Sequence, residues 1–393
     1  MKKFLFFFAL YFIEGAPIGL LWWTLPTLMR MQGVPLSRIT TITSMLALPW
    51  ALKFLWAPLL DLFRGKLGGY KVWILVAQPL MALTLLPLVW LDLNAQFQVL
   101  YPLLLLHSMA AATHDVAIDA AAINSVSRDA RGRLNGWMQT GLLTGRSVFG
   151  GAAIFVSERF GLGPVVYSLC FILFLLWLFV LRSNGIAGPS FVPEKMGQPV
   201  AEFLTYLKRS IFRRSMLWAF VYAGIAGAGF EAAAGVMGPF LTDFGWSAAE
   251  VSFFLSVAAI ICMILGSLLG GLFSDRFGRK WTVILFQLLL TASVILLAVM
   301  PKGITLVFFY TNIGLFIAAS YAWMMSLTNA KFAATQFSAL MGMTNFCESW
   351  SVFMVGALNS SIGYSYSFMT MAILSLIAIP ILIQISPNSK KAD

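Results

Sequence analysis

A chain of 393 residues, 60% hydrophobic and 10% charged, with its apolar runs separated by short polar breaks, is not a soluble domain of ordinary composition. It reads as an integral, all-α membrane protein, since no stretch has the two-residue alternation of a transmembrane barrel strand. The net charge of +11 does not call for nucleic acid: no aromatic and basic constellation stands apart from the loops, and basic loops beside anionic headgroups account for it.

A bilayer takes about 20 apolar residues per helix, and about 33 with the connecting loop, which divides this length into about twelve spans. In chain order they are expected at 4–31, 38–62, 71–91, 97–126, 132–157 and 164–183, then 211–241, 248–273, 281–300, 304–329, 336–360 and 364–385. The first begins like a secretory signal, with Lys2 and Lys3 ahead of an apolar run. Glu14 in the middle of that run, the lack of a small-residue cleavage site and the continuation through Trp22 and Trp23 to Met31 make it a first transmembrane helix instead.

The organisation expected is an N-terminal six-helix bundle over 1–183, a linker over 184–210, a C-terminal six-helix bundle over 211–385 and a tail over 386–393. Pro189, Pro193 and Pro199 mark the linker, and Val200, Phe203, Leu204 and Leu207 have the spacing of a short amphipathic helix lying at the interface. Cations crowd alternate breaks, from Arg64, Lys66 and Lys71 through Arg128, Arg131 and Arg133 to Arg276, Arg279 and Lys280, while the opposite breaks hold only Arg30, Arg38, Arg159 and Lys302. The positive-inside rule then places both termini and the linker in the cytoplasm.

Two internal repeats support duplication. GLFSDRFGRK, Gly271 to Lys280, has a counterpart in WAPLLDLFRGKLGGYK, Trp56 to Lys71; each sets an acid, Asp275 or Asp61, at a helix exit ahead of basic residues. TLPTLMRMQGVPLSRI, Thr24 to Ile39, pairs with MGPFLTDFGWSAAEV, Met237 to Val251; both run Pro, apolar pair, Gly, then a Ser placed to cap the next helix. Ser247 and Glu250 have capping-box spacing, whereas Ser37 lacks the acidic partner.

Ionisable groups inside the spans are costly there and must face the interior or one another. They are Glu14, Lys53, His107, His114, Asp115, Asp119, Arg146, Glu231 and Glu348. Asp115 and Asp119, four apart, share a face of the fourth helix, and Arg146 on the fifth is expected to meet one of them. Glu14 and Glu231 occupy comparable middle positions in the two halves; with Asp115 and Glu348 they are the candidates for proton binding and release, against the alternative that each merely bonds a neighbouring helix. Lys53 pairs with an acid or receives an anionic ligand, and His114 is either a satisfied interior group or a proton relay. Trp22 and Trp23, beyond Glu14, are belt residues or a platform for a substrate ring.

Cys170, Cys262 and Cys347 lie far apart inside apolar runs and read as packing residues, and no ligand spacing supports a metal. GSLLGG, Gly266 to Gly271, spaces its small residues for close helix contact. No nucleotide-binding or catalytic motif is present, so neither an enzyme nor a primary pump is expected, and no cofactor.

Gly271, Asp275, Arg276, Gly278, Arg279 and Lys280 resemble the loop signature of the major facilitator superfamily; the first-half copy departs from it, with Ala57 for the leading Gly and Leu62 for the Arg. ALPWALKFLWAPLLD, Ala47 to Asp61, resembles the branch that holds the muropeptide permease AmpG and the acetyl-CoA transporters. THDVAIDA, Thr113 to Ala120, is similar to that branch's T-Q-D-I-x-x-D-A, with His114 in place of Gln. AmpG-type proteins commonly carry two further helices. The related siderophore importers of the RhtX/FptX type are of this shorter size, and their G-x-P-x-G and L-P-x-x-x-R-x-Q-G patterns resemble Gly15–Gly19 and Leu25–Gly33.

The resemblance implies twelve transmembrane helices in two pseudo-symmetric six-helix bundles, with the first and seventh helices lining a central cavity. It implies a cytoplasmic gate in which Asp61 and Asp275 meet the positive groups around them, Arg64, Arg276, Arg279 and Lys280. Trp22, Trp23, Lys53, His114, Asp119 and Arg146 are then the candidates for the substrate cavity. It implies a monomeric secondary transporter in a bacterial inner membrane, with protons, the lipid bilayer and a small-molecule substrate as partners. A solute of the muropeptide class comes first, a ferric siderophore second and an acyl-CoA-like anion third. A lipid flippase and a non-transporting sensor stay open as other classes.

Overall fold

The computed structural model describes residues 2–57, 60, 69–90, 97–125, 131–183, 213–327 and 333–385. Every regular element among them is helical, and each of the twelve expected spans has its helix: α1 (2–31), α2 (36–55), α3 (70–89), α4 (Phe97–Ser125), α5 (131–160), α6 (Gly163–Arg182), α7 (214–243), α8 (248–277), α9 (Arg279–Val299), α10 (Gly303–Leu327), α11 (333–362) and α12 (364–384). Eight stretches among the described residues, including one that runs through α11 and α12, are long and apolar enough to cross a membrane. Helix is the form such sequences take because lipid offers the backbone no hydrogen-bond partner. The expected linker helix, Asp61, Arg64 and the tail lie outside the described residues.

The helices are interrupted where the sequence weakens the ladder. π-helical turns occupy Leu20–Thr24, Ser147–Ala152 and Phe254–Ala258. α7 opens into turns at 224–227, and its freed carbonyls find side-chain donors: Trp350 Nε1 reaches Gly224 O at 2.9 Å and Gln287 Nε2 reaches Ala226 O at 2.8 Å. Between α11 and α12 the chain reverses at Gly363, whose φ of 73° is left-handed and disfavours any residue with a Cβ. Ser247 caps α8 through the full capping box with Glu250, as its spacing predicts, while α2 starts after Pro35 with no side-chain cap.

The chain packs as two compact units, one of residues Met1–Val192 with Met237–Val257, the other of Pro193–Val236 with Ala258–Asp393. In the first, α1 lies against α5 with glycines at the crossing: a Cβ on Gly15 would strike Leu142 O, and one on Gly145 would strike Phe12 O. Two apolar clusters fill this unit. One gathers Leu20, Leu46, Met81, Leu104 and Val166, the other Phe7, Leu10, Ile74, Ala117 and Ile118. The buried polar residues Glu14, Gln78 and His114 of α1, α3 and α4 stand near where these two clusters adjoin.

In the second unit α8 packs on α10 through the expected small-residue face: a Cβ on Gly266 would meet Thr311 O, and one on Gly270 would lie 2.9 Å from Leu315 Cα.

Candidate transport site

The polar layer of the first unit is drawn from four helices. Tyr11 and Glu14 are three apart and so share a face of α1. Lys53 stands where α2 tightens into the 3-10 turn Lys53–Leu55, one helical turn after Pro49. Gln78 comes from α3, and His114, Asp115 and Asp119 from α4. Glu14 is 2% exposed, His114 not at all, Gln78 1% and Asp115 8%.

These side chains answer one another. Lys53 Nζ donates to Asp115 Oδ2, and the Tyr11 hydroxyl donates to Asp119 Oδ1. His114 Nδ1 lies 3.1 Å from Glu14 Oε2, and His114 Nε2 lies 3.2 Å from Gln78 Nε2. With a proton on Nδ1 the imidazole donates to the Glu14 carboxylate and accepts from the Gln78 amide, which satisfies both ring nitrogens. Glu14 Oε1 and Gln78 Oε1 are buried with no hydrogen-bond partner among the described residues. Glu14, Asp115 and Asp119 all interact electrostatically with Lys53, so three carboxyls share one ammonium. The Trp56 indole anchors the rim by donating to Thr113 Oγ1 at 3.2 Å.

Such a network has two satisfied protonation states that differ by one proton. If Glu14 carries it, Oε2–H donates to Nδ1, Nε2–H becomes a donor, and a turn of the Gln78 amide presents Oε1 to it. The layer can therefore exchange a proton without losing a buried hydrogen bond.

Asp115 and Asp119 do not meet Arg146, contrary to the expectation from their order in sequence. Lys53 and Tyr11 hold them, and the Arg146 guanidinium lies instead over the Trp23 ring, 5.7 Å from its centroid. Trp22 is buried edge-on against Trp50, with ring centroids 5.4 Å apart, which leaves Trp23 as the more open of the two indoles. His107 turns away from His114, its Nδ1 3.1 Å from Met81 O and 3.2 Å from Thr84 Oγ1. No group of three or more His, Cys, Asp or Glu among the described residues could hold a metal ion.

In the second unit Glu231 lines a small pocket with Phe230, Phe316, Ser320, Tyr321 and Thr344. Glu348, one turn or less away on α11, joins Glu231 in the electrostatic surroundings of the buried Cys347. At the end of α8, the side chain of Asp275 lies outside the described residues. Around it Gly271 has open space, Arg276 rests on the Phe277 ring, and Gly278, with φ 87°, starts α9. Arg279 is exposed, and Lys280 Nζ donates to the carbonyls of Ile383 and Ile385 at 2.6 and 3.0 Å, closing the end of α12.

Sequence reasoning missed Tyr11, Gln78 and one further ion pair. Arg30 Nε bonds both Asp243 oxygens at 2.7 and 2.8 Å, and Arg30 also holds Val34 O at 3.0 Å. The signal was in the second repeat: Arg30 stands four residues after Pro26 and Asp243 four after Pro239, opposite charges at one repeat position. Close contacts flank the pair, since a Cβ on Gly238 would strike Thr27 Oγ1, and Ser147 Oγ donates to Ser256 O at 2.7 Å.

The family model described as Major Facilitator Superfamily matches residues 7–261 and 220–393. AmpG 4 of Rickettsia conorii is 23% identical over 96% of this chain and 95% of its own length. The anhydromuropeptide permease of Escherichia coli K12 is 24% identical over 85% of this chain and 69% of its own. Among solved structures, the nucleoside transporter NupG superposes with a TM-score of 0.76 at 15% identity, covering 97% of this chain and 99% of that one.

Proposed function

The chain belongs to the major facilitator superfamily and is an integral membrane transporter, and from that premise we propose that it is a proton-coupled importer of a bulky polar solute of the muropeptide class. The observation that carries the coupling is the buried layer of the first unit. Glu14, His114 and Gln78 form a buried hydrogen-bonded chain, beside an ammonium shared among three carboxyls. Negative charge in excess of its counter-ion is relieved by taking up a proton, and the chain keeps both imidazole nitrogens hydrogen-bonded before and after that proton is bound. Secondary transport needs such a group: one whose loading changes the charge the interior must carry, and so the conformation it favours.

The substrate class follows from the relatives rather than from the cluster, the E. coli one being named an anhydromuropeptide permease. Import across a bacterial inner membrane, with the basic loops and both termini in the cytoplasm, accords with the distribution of cations along the chain. Alternating access requires the contact of Arg30 with Asp243 to open once per cycle, because it ties the 237–257 segment to the end of α1.

The test is uptake of labelled anhydromuropeptide into proteoliposomes, with and without an acidic exterior. Accumulation that requires the gradient supports the proposal. Gradient-driven uptake of a ferric siderophore in place of the muropeptide would move the chain to the second substrate class, and uptake indifferent to the gradient would remove proton coupling.

A further inference from the structure

Arg146 is the cation that the carboxyl layer leaves out. It ends the α-helical part of α5, Arg131–Arg146, immediately before the π-helical turn Ser147–Ala152. Its Nε is buried and has no hydrogen-bond partner, and no carboxylate among the described residues pairs with it. The acids of the polar layer are committed elsewhere: Glu14 to His114, Asp115 to Lys53 and Asp119 to Tyr11.

The position of Arg146 is built rather than incidental. A Cβ on Gly19 would come within 2.8 Å of Arg146 O and 2.9 Å of Gly150 Cα, so α1 and α5 touch backbone to backbone at this level. A Cβ on Gly150 would lie 2.8 Å from Trp23 Cε3. The Trp23 ring is thus seated against Gly150, with the guanidinium of Arg146 over it at 5.7 Å. Both side chains are partly exposed, whereas Trp22 and Phe149 beside them are buried.

A guanidinium held over an aromatic ring by cation–π attraction keeps N–H donors in a fork matched to a carboxylate. An unpaired cation within a membrane-spanning helix is expensive unless an anion meets it, and no side chain described here does so. We infer that Arg146 and Trp23 form a receiving site for a carboxylate group of the transported solute, the carboxylate on the guanidinium edge and the adjoining apolar part of the solute against the indole. The inference rests on the transporter reading and narrows its substrate class to carboxylated solutes. It assigns recognition to Arg146 and Trp23, apart from the proton layer of Glu14 and His114.

The experiment measures binding to the purified full-length protein in nanodiscs, by titration calorimetry. The probes are an anhydromuropeptide and its carboxamide analogue, and a ferric carboxylate siderophore and its amide. The proteins are the wild type, Arg146→Gln and Arg146→Lys, each checked for a monodisperse, cooperatively unfolding state. The wild type should prefer acid to amide by about tenfold or more, the size of a hydrogen-bonded charge contact. Arg146→Gln should bring that ratio close to one by weakening the acid alone. Arg146→Lys should fall between, because an ammonium keeps the charge and loses the fork. A ratio unchanged in Arg146→Gln overturns the site while leaving the muropeptide reading in place. If only the siderophore pair binds, with a ratio that depends on Arg146, the carboxylate site stands and the muropeptide class falls. Wild-type protein that binds no acid better than its neutral counterpart overturns the site, and should Arg146→Gln not fold, an acid preference undiminished in Arg146→Lys does the same.

Discussion

Glu14 on α1 and Glu231 on α7 each lie inside a membrane-spanning helix, yet their surroundings differ. Glu14 is 2% exposed and locked to His114, with Lys53, Asp115 and Asp119 close by. Glu231 lines a small pocket among aromatic rings and hydroxyls. A buried layer of paired groups suits holding and passing a proton, because the imidazole nitrogens stay bonded as it moves; a carboxylate among rings and hydroxyls offers groups that can touch a solute. The difference lies in the polar groups that neighbouring helices contribute: Lys53 of α2, Gln78 of α3 and His114 and the acids of α4 join Glu14 in one layer.

Breaking the buried layer should have the largest effect. Lys53→Met leaves Asp115 buried without its cation and is expected to destabilise the protein by about 3–5 kcal/mol, and adding Asp115→Asn should recover most of that loss. Thermal unfolding in detergent reads both, and full additivity of the two substitutions would contradict the pairing. Next comes Glu14→Gln, which should lower gradient-driven uptake by about 100-fold while leaving exchange of labelled for unlabelled solute largely intact, as removal of a proton-transfer group does. Equal loss of uptake and exchange would make Glu14 a solute contact rather than a coupling group. Glu231→Gln sharpens the contrast from the other side: about a tenfold rise in KM is expected, with the pH profile of uptake kept. A changed pH profile would mean that both halves carry protons.

The smallest effect belongs to the half-buried ion pair of Arg30 with Asp243, whose side chains are 25% and 23% exposed. Arg30→Gln should cost no more than about 1 kcal/mol of stability, and the charge reversal Arg30→Asp with Asp243→Arg should restore it. A reversal worse than either single change would show that the geometry, and not the charge, makes the contact.

The helices were legible because lipid solvation leaves a strong mark: long apolar runs, punctuated by glycine and by basic breaks, mapped onto all twelve. The glycine face of α8 and the capping box at Ser247 were legible for the same reason, a local rule with a local outcome. Pairing was not. Arg146 was assigned to the acids of α4 by order in sequence, but which of two cations reaches Asp115 depends on how α2 and α5 pack around α4, and periodicity holds no information on that. Tyr11 and Gln78 escaped notice because neither carries a charge, although each completes the bonding of one that does. The link of Arg30 with Asp243 could have been found by reading the repeat for complementary charge as well as for shared residues.

The central claim is that solute and proton move together through the layer around Glu14. Proteoliposomes holding a pH-sensitive dye, at equal pH inside and out, receive a sudden outward-to-inward gradient of anhydromuropeptide, with Glu14→Gln in parallel. The account predicts that the wild-type interior acidifies as solute enters and that the Glu14→Gln interior does not, though solute still crosses. Solute entry with no acidification in the wild type, at a rate unchanged in Glu14→Gln, would contradict it.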